Sequence, residues 1–322
     1  MQQSVRCLLS GIIDYAGIFP PQGLPLEQAV RNHARFSAAP EAWMLSRFVC
    51  PAARLAELPP LCTELFTPER PLRLTVIGNE HPLSPEFIMD VRLLDTFTKA
   101  HGERARIEAL ELRIPAEIIA EWDSEVVAEG MNVLAGRLVD HRFSDIEVFI
   151  EPSFPGDWNE SVQAVVAALA RHNVERGTPA PERIGFKLRT GGPAADAVPT
   201  AEQVAFALLT CRDARIPLKF TGGLHHALFQ TGAAPPSDMH GIINVFAAGV
   251  IAHARDADAA MLGELLREHE VDALTFEPDG FHWLELDVTN AEIELARQEL
   301  VLSFGSCGFE GPCSELRQLG LI

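Results

Sequence analysis

Short runs rich in β-branched and aromatic residues alternate along the chain with longer segments of helical patterning. The runs predict strands at 11–17, 45–50, 72–77, 106–112, 145–151, 184–189, 216–221 and 300–305. The segments between them predict helices near 25–38, 52–65, 85–100, 116–136, 157–176, 200–214 and 239–254, with a short one at 312–319. Eight strands alternating with helices are the signature of parallel α/β architecture. We therefore expect one domain over residues 1–322, a (β/α)8 TIM-type barrel with its active site at the C-terminal ends of the strands.

Several boundaries carry their own chemistry. In Pro199-Thr200-Ala201-Glu202, Thr200 suits an N-cap and Glu202 a first helical turn, where its charge meets the positive end of the helix dipole. Pro20-Pro21 and Pro235-Pro236 mark loops. The stretch 224–290, after the seventh strand, is longer than a strand-to-helix connection requires. It holds two helical patterns and a strand pair, 273–276 and 282–286, around Pro278-Asp279-Gly280. The expectation is a lid-like insertion over the barrel mouth.

Composition narrows the class. With 322 residues, 47% of them hydrophobic and 22% charged, the chain can bury a large core. A formal charge of −19 with no basic run argues against nucleic acid as a partner. The longest apolar stretch, Ile242 to Ala252, is too short to cross a bilayer, so no membrane partner is expected. Cys7, Cys50, Cys62, Cys211, Cys307 and Cys313 show no Cys-x-x-Cys pair, which suits reduced thiols. The start, Met1 to Arg6, lacks the features of a secretory signal. A cytoplasmic enzyme is the expectation; homo-oligomerisation is left open.

Two lysines carry the candidate chemistry. Lys187 lies in Ile184-Gly-Phe-Lys-Leu-Arg-Thr-Gly-Gly192, and Lys219 in Ile216-Pro-Leu-Lys-Phe-Thr-Gly-Gly-Leu224. Each alternates with apolar neighbours, so both ammonium groups should emerge on the same face of the sheet. Desolvation and like-charge repulsion favour the neutral amine, which can attack a carbonyl to form a Schiff base. The same alternation brings Glu111 and Arg113 of the fourth strand, Glu151 at the end of the fifth, Arg189 of the sixth and Thr221 of the seventh to the mouth. On the residues alone, Lys187 would add to an aldehyde or ketone, Glu111 or Glu151 would move protons, and Arg113, Arg189 and the glycine turns would bind a carboxylate or phosphate. That chemistry needs no cofactor. A structural ion-pair layer inside the barrel is the simpler account of the same charges.

The stretch from Lys187 to Leu224 resembles deoxyribose-phosphate aldolase and its class I, Schiff-base aldolase relatives. The matching elements are Lys187-Leu-Arg-Thr190-Gly191, Thr200-Ala-Glu202 and Lys219-Phe-Thr-Gly222-Gly223, in the family's order and spacing. Phe304-Gly-Ser-Cys307 resembles the family's turn after its last strand, and Phe149-Ile-Glu151 its fifth strand. The resemblance implies that Lys187 is the nucleophile and Lys219 the neighbour that lowers its pKa. It also implies that Gly222, Gly223, Gly305 and Ser306 form an anion cradle. Arg189 departs from the family motif, and Glu111 falls on or near its proton-relay position. A lyase acting on a small anionic carbonyl compound is the expected function.

Two other classes fit some of the residues. Asp14 closes the first strand, His225 and His226 follow the seventh, and His240 opens a helix, so these four could converge on a divalent cation in a metal-dependent lyase or hydrolase. Cys307 beside Gly305 and Ser306 could be a nucleophile, and Tyr15, the chain's single tyrosine, a phenolic acid or a strand anchor. The non-enzymatic reading is a barrel kept as a ligand-binding module.

Overall fold

A computed structural model describes residues 1–120, 124–141, 143–154, 156–176, 183–192, 198–232 and 238–322. Strands β1 (Ile13–Tyr15), β2 (Leu45–Pro51), β3 (Leu72–Ile77), β4 (Ala105–Ile114), β5 (Glu147–Pro152), β6 (Ile184–Arg189) and β7 (Leu218–Thr221) follow one another around a ring. The last strand of the chain, β13 (Val301–Ser306), closes the ring between β7 and β1. Every neighbouring pair is parallel. This is a (β/α)8 barrel, as the sequence pattern predicts.

Helices α2 (Leu26–Phe36), α3 (Pro59–Leu65), α4 (Phe87–His101), α6 (Ser124–Asp140), α7 (Trp158–Arg176), α8 (Ala201–Ala214), α9 (Ile242–Ala254) and α12 (Glu310–Gln318) alternate with the strands. The segment expected as one helix over 116–136 is divided between α6 and a short α5 (Ala116–Ala120). A further helix, α1 (Gln3–Leu9), precedes β1 and has no counterpart in the sequence reading. Helix α8 begins where Thr200 predicts, with the Thr200 hydroxyl accepting from the Gln203 amide and the Gln203 side chain accepting from the Thr200 amide. Helix α9 is buried from Ile242 to Ala252, which explains its unbroken apolar run; no described helix is long and apolar enough to cross a membrane.

Burial on both faces makes the strands nearly continuous in apolar content. In β6, Phe186 and Leu188 pack outward under the helices while Gly185 and Lys187 face the barrel axis. Each fully buried leucine or phenylalanine contributes about 1.5–3 kcal/mol of transfer free energy. That supply lets the interior hold charges, which cost stability unless paired.

The segment 224–290 divides between the two ends of the barrel. Next to the strands' C-terminal ends lie the short pair β8 (Gln230–Thr231) and β9 (Asp238–Met239), and a bridge from His226 to Gly241. Pro235 and Pro236 lie outside the described residues. Beyond α9 come α10 (Ala259–Leu266) and a three-stranded antiparallel sheet, β10 (Leu274–Phe276), β11 (Gly280–Trp283) and β12 (Leu286–Thr289), which leads into α11 (Asn290–Glu299). Arg255, past the far end of α9 from the mouth, pairs with Glu292 at 2.6 Å and holds the Asp287 carbonyl. Ser4 of α1 donates to the Glu277 carbonyl at 2.6 Å. The sheet therefore lies at the N-terminal end of the barrel, opposite the end where a lid was expected. Sequence length shows that a segment is inserted but not to which end it packs.

The turns after β6 and β7 meet backbone to backbone. Gly223 has φ +76, and a Cβ there would stand 2.1 Å from the Thr190 carbonyl oxygen. Gly223→Ala is expected to destabilise the protein by on the order of 1–3 kcal/mol. Urea unfolding should show this as a lower midpoint at an unchanged slope.

Candidate active site

The barrel interior holds a continuous ion-pair network. Lys187 and Lys219 are direct register partners on β6 and β7, 3% and 0% exposed. Glu111 of β4 lies between their ammonium groups, with Oε2 2.7 Å from Lys187 Nζ and Oε1 2.6 Å from Lys219 Nζ. Lys219 also pairs closely with Asp14 Oδ2, and Lys187 with Glu151 Oε2 at 2.6 Å. Glu151 Oε1 accepts from Arg189 Nε and Nη2 at 3.1 and 2.7 Å, with Arg113 Nε at 3.5 Å. The chain of contacts runs from Asp14 deep in the barrel to the two arginines at its mouth.

Local sequence explains each placement. On β6 and β7 the lysines alternate with outward Phe186, Leu188, Leu218 and Phe220, so sheet pleating turns both amines inward. Below Lys187, Gly185 leaves room for Phe149, whose ring atoms would stand 2.8 Å from a Cβ at that position. Phe149 forms part of the floor, with Lys219 Nζ 5.5 Å from its ring centroid. Asp14 is held by the Arg47 amide at 3.0 Å and the Ser303 hydroxyl at 3.2 Å. The Arg47 side chain turns to Glu147 at 2.6 Å and Glu108 at 3.1 Å, forming a second charged layer toward the N-terminal end.

The network reverses one expectation. Burial pushes Lys219 toward the neutral amine, but Asp14 and Glu111 outweigh it and its pKa is raised. Lys219 is therefore a fixed cation, because the cost of removing it from water is offset by two carboxylates in contact. Burial pushes Asp14 up, but Lys219 and Arg47 hold it down at about 2. Burial likewise opposes ionisation of Glu151, which Lys187, Arg189 and Arg113 hold at about 2. Glu111 is lowered by the two lysines against the same burial.

These depressed values have a signed consequence. A carboxyl with a folded pKa below its unfolded one stabilises the fold above the unfolded value, and that contribution is lost as pH falls through the folded one. Stability should therefore decline steeply between about pH 4 and pH 2. Thermal melts from neutral to acid pH check this; a flat profile across that window would contradict the network.

The other sequence-predicted residues are differently placed. The Thr190 hydroxyl closes tightly on the Gly222 carbonyl, so it ties the two turns together. Thr221 flanks Gly305 in register, and a Cβ on Gly305 would stand 3.2 Å from the Thr221 hydroxyl. Ser306, 2% exposed, donates to the Gly308 carbonyl at 2.7 Å and accepts from the Gly308 amide at 3.3 Å. Its hydroxyl is thereby engaged within its own turn.

The suggested metal ligands do not converge. His226 Nδ1 is 2.8 Å from Glu315, and His240 Nε2 is 2.7 Å from the Pro199 carbonyl. His225 Nδ1 is 3.9 Å from the Cys307 thiol, whose pKa burial raises. Asp14 is committed to Lys219, and among the described residues no three His, Cys, Asp or Glu side chains are grouped to hold a metal ion. Tyr15 is 2% exposed and packs edge-on against Phe36 at 5.2 Å.

Sequence reasoning reached the lysines, Glu111 and Glu151, but not the pairing of Asp14 with Lys219, nor Arg47 and Ser303, nor the place of Phe149 beside the Lys219 amine. One available signal was composition. Of the 26 lysines and arginines in the chain only three are lysine, namely Lys99, Lys187 and Lys219. Two of the three sit inside the barrel.

No family model matches the chain, and no curated protein does. Among solved structures it is similar to a Coccidioides immitis protein assigned as a deoxyribose-phosphate aldolase, at 10% identity and a TM-score of 0.46, over 80% of this chain and 85% of that one. It is also similar to a lysine/ornithine decarboxylase from Vibrio vulnificus solved with cadaverine, at 12% identity and a TM-score of 0.35, over 94% of this chain and 59% of that one. The barrel assignment rests on the strand order itself.

Proposed function

We propose that the protein is a Schiff-base-forming carbon–carbon lyase, aldolase-like in chemistry, acting on a small anionic carbonyl compound. The observation that carries this is the retention of lysine. A chain that uses arginine for nearly every cation keeps an amine at two adjacent positions of the barrel interior. A guanidinium would pair with the acids at least as well, but only an amine can form an imine.

In this reading Lys187 is the nucleophile because it lies nearer the mouth, between Glu111 and Glu151. It passes a proton to one of those carboxylates, and its lone pair then attacks the carbonyl carbon. The carbinolamine oxygen takes protons back and leaves as water. The resulting iminium accepts the electron pair of the carbon–carbon bond that breaks, or stabilises the carbanion that forms one. Lys219 stays protonated and keeps Glu111 ionised and in place, so that Glu111 can receive a proton again in the next cycle. Its role is to position and charge Glu111, in place of the pKa-lowering neighbour implied by the family resemblance.

Borohydride reduction in the presence of aldehydes and ketones, followed by peptide mapping, tests the proposal. The expected result is a stable adduct on Lys187, against a background of only two other lysines. A second reading, a non-catalytic ligand-binding barrel, draws on the complete pairing of Asp14, Glu111 and Glu151 with cations. Absence of any adduct on Lys187 would favour it.

A further inference from the structure

Glu151 marks where the substrate's charge sits, an inference that rests on the Schiff-base reading above. One of its oxygens accepts two hydrogen bonds from Arg189, at 3.1 and 2.7 Å. The other lies 2.6 Å from Lys187 Nζ, yet it is buried and has no aligned hydrogen-bond donor. A single carboxylate thus spans the gap between the amine and the guanidinium. Arg189 and Arg113 are 40% and 62% exposed, whereas Lys187 is 3% exposed, so the arginines flank the approach to the amine. Arg189 also reaches toward the turn after β7, where a Cβ on Gly222 would stand 3.5 Å from its Nη1.

The two hydroxyls that the sequence offers to an anion beside the arginines are engaged elsewhere. The Ser306 hydroxyl and the Gly308 amide satisfy each other, and the Thr190 hydroxyl is bound to Gly222. Toward the mouth three cations, Lys187, Arg113 and Arg189, meet two acids, Glu111 and Glu151, while Lys219 and Asp14 pair deeper in the barrel. In a chain of net charge −19 this local excess singles the arginine pair out as the place for an anion.

We propose that the carbonyl substrate is a 2-oxo acid, whose carboxylate takes over the contacts that Glu151 makes with Arg189 and Arg113. The reason is length. When the carbonyl carbon bonds to Lys187 Nζ, the anion must lie within the gap that one carboxylate now spans, and a carboxylate attached directly to that carbon satisfies this. A phosphate ester carries its charge several bonds further away. The planar fork of a guanidinium matches a carboxylate with two parallel hydrogen bonds.

The exchange also prepares the nucleophile. Arg189 is one of the groups holding Glu151 ionised, so a substrate carboxylate that draws Arg189 away makes Glu151 a stronger base beside Lys187. The Lys187 proton moves to Glu151, the amine adds to C2, and the C2 oxygen leaves as water with one proton lost by the added nitrogen and one returned by Glu151. Charge is conserved throughout: one carboxylate replaces another at the arginines while an ammonium and a carboxylate become an amine and an acid.

Reductive trapping with pyruvate, hydroxyacetone and dihydroxyacetone phosphate at equal concentration tests the assignment. We expect pyruvate to label Lys187 at least about tenfold faster than either of the others, as a charge-assisted bidentate contact would give. In Arg189→Met the ratio of pyruvate to hydroxyacetone labelling should fall by about the same factor, with Arg189→Lys intermediate. Circular dichroism of each variant verifies that it is folded. If hydroxyacetone or dihydroxyacetone phosphate labels Lys187 as fast as pyruvate, or if the ratio is unchanged in Arg189→Met, the 2-oxo acid assignment is overturned and the Schiff-base reading stands. If none of the three labels Lys187, both fall.

Discussion

Replacing Lys187 with methionine is expected to abolish imine trapping, leaving only the slow labelling of Lys99 and the N-terminus. Methionine keeps much of the side-chain length and fills the same space without a nucleophilic nitrogen. Lys219 cannot substitute, because its pKa is raised by Asp14 and Glu111 and it is fully buried behind Glu111. Lys187→Arg is the informative companion. It retains a cation for Glu111 and Glu151, so a variant that is folded but unlabelled separates loss of the nucleophile from loss of the network. Peptide mapping after reduction reads both variants; persistent labelling at the barrel site in either would show that the wrong amine has been chosen.

Replacing Lys219 with methionine should cost about 3–5 kcal/mol of folding stability, the largest such loss expected of any single change here. The magnitude follows from what is left behind: Asp14 buried without its ammonium partner, and Glu111 with only one of its two lysines. The pH dependence should change sign along with it. In the natural protein both carboxyls are depressed, so acid removes stability. Without Lys219, burial dominates at Asp14 and raises its folded value above the unfolded one, while Glu111 keeps Lys187 as a partner. Protonation then favours the folded state, and the gap between variant and natural protein should narrow as pH falls toward about 4. Denaturant unfolding at neutral and mildly acid pH measures it. An equal loss at both pH values would mean that the ion pair is not the source of the effect.

The contrast between these two lysines shows how far alternation can be read. Period-two patterning around Lys187 and Lys219 correctly turns both side chains to the barrel axis, because a pleated strand buried on its outer face leaves no other orientation. It does not reveal protonation. That depends on which acids arrive from β1 and β4, strands separated from β7 by more than a hundred residues of chain. Asp14 was visible as a polar residue ending the first strand, yet whether it meets histidines or a lysine is decided by ring closure, which sets β13 between β1 and β7.

Local pattern by itself determined the eight strands, most of the helices between them, the Thr200 cap and the inward face of the two amines. These follow from periodicity and backbone chemistry within a few residues. The tertiary structure alone decided that Glu111 lies between the lysines and that Ser306 closes on its own turn. It also decided that the sheet of 274–289 packs at the end of the barrel away from the site. Each is a contact between segments distant in sequence. Its energy depends on burial and on the partner's charge, which no local window contains.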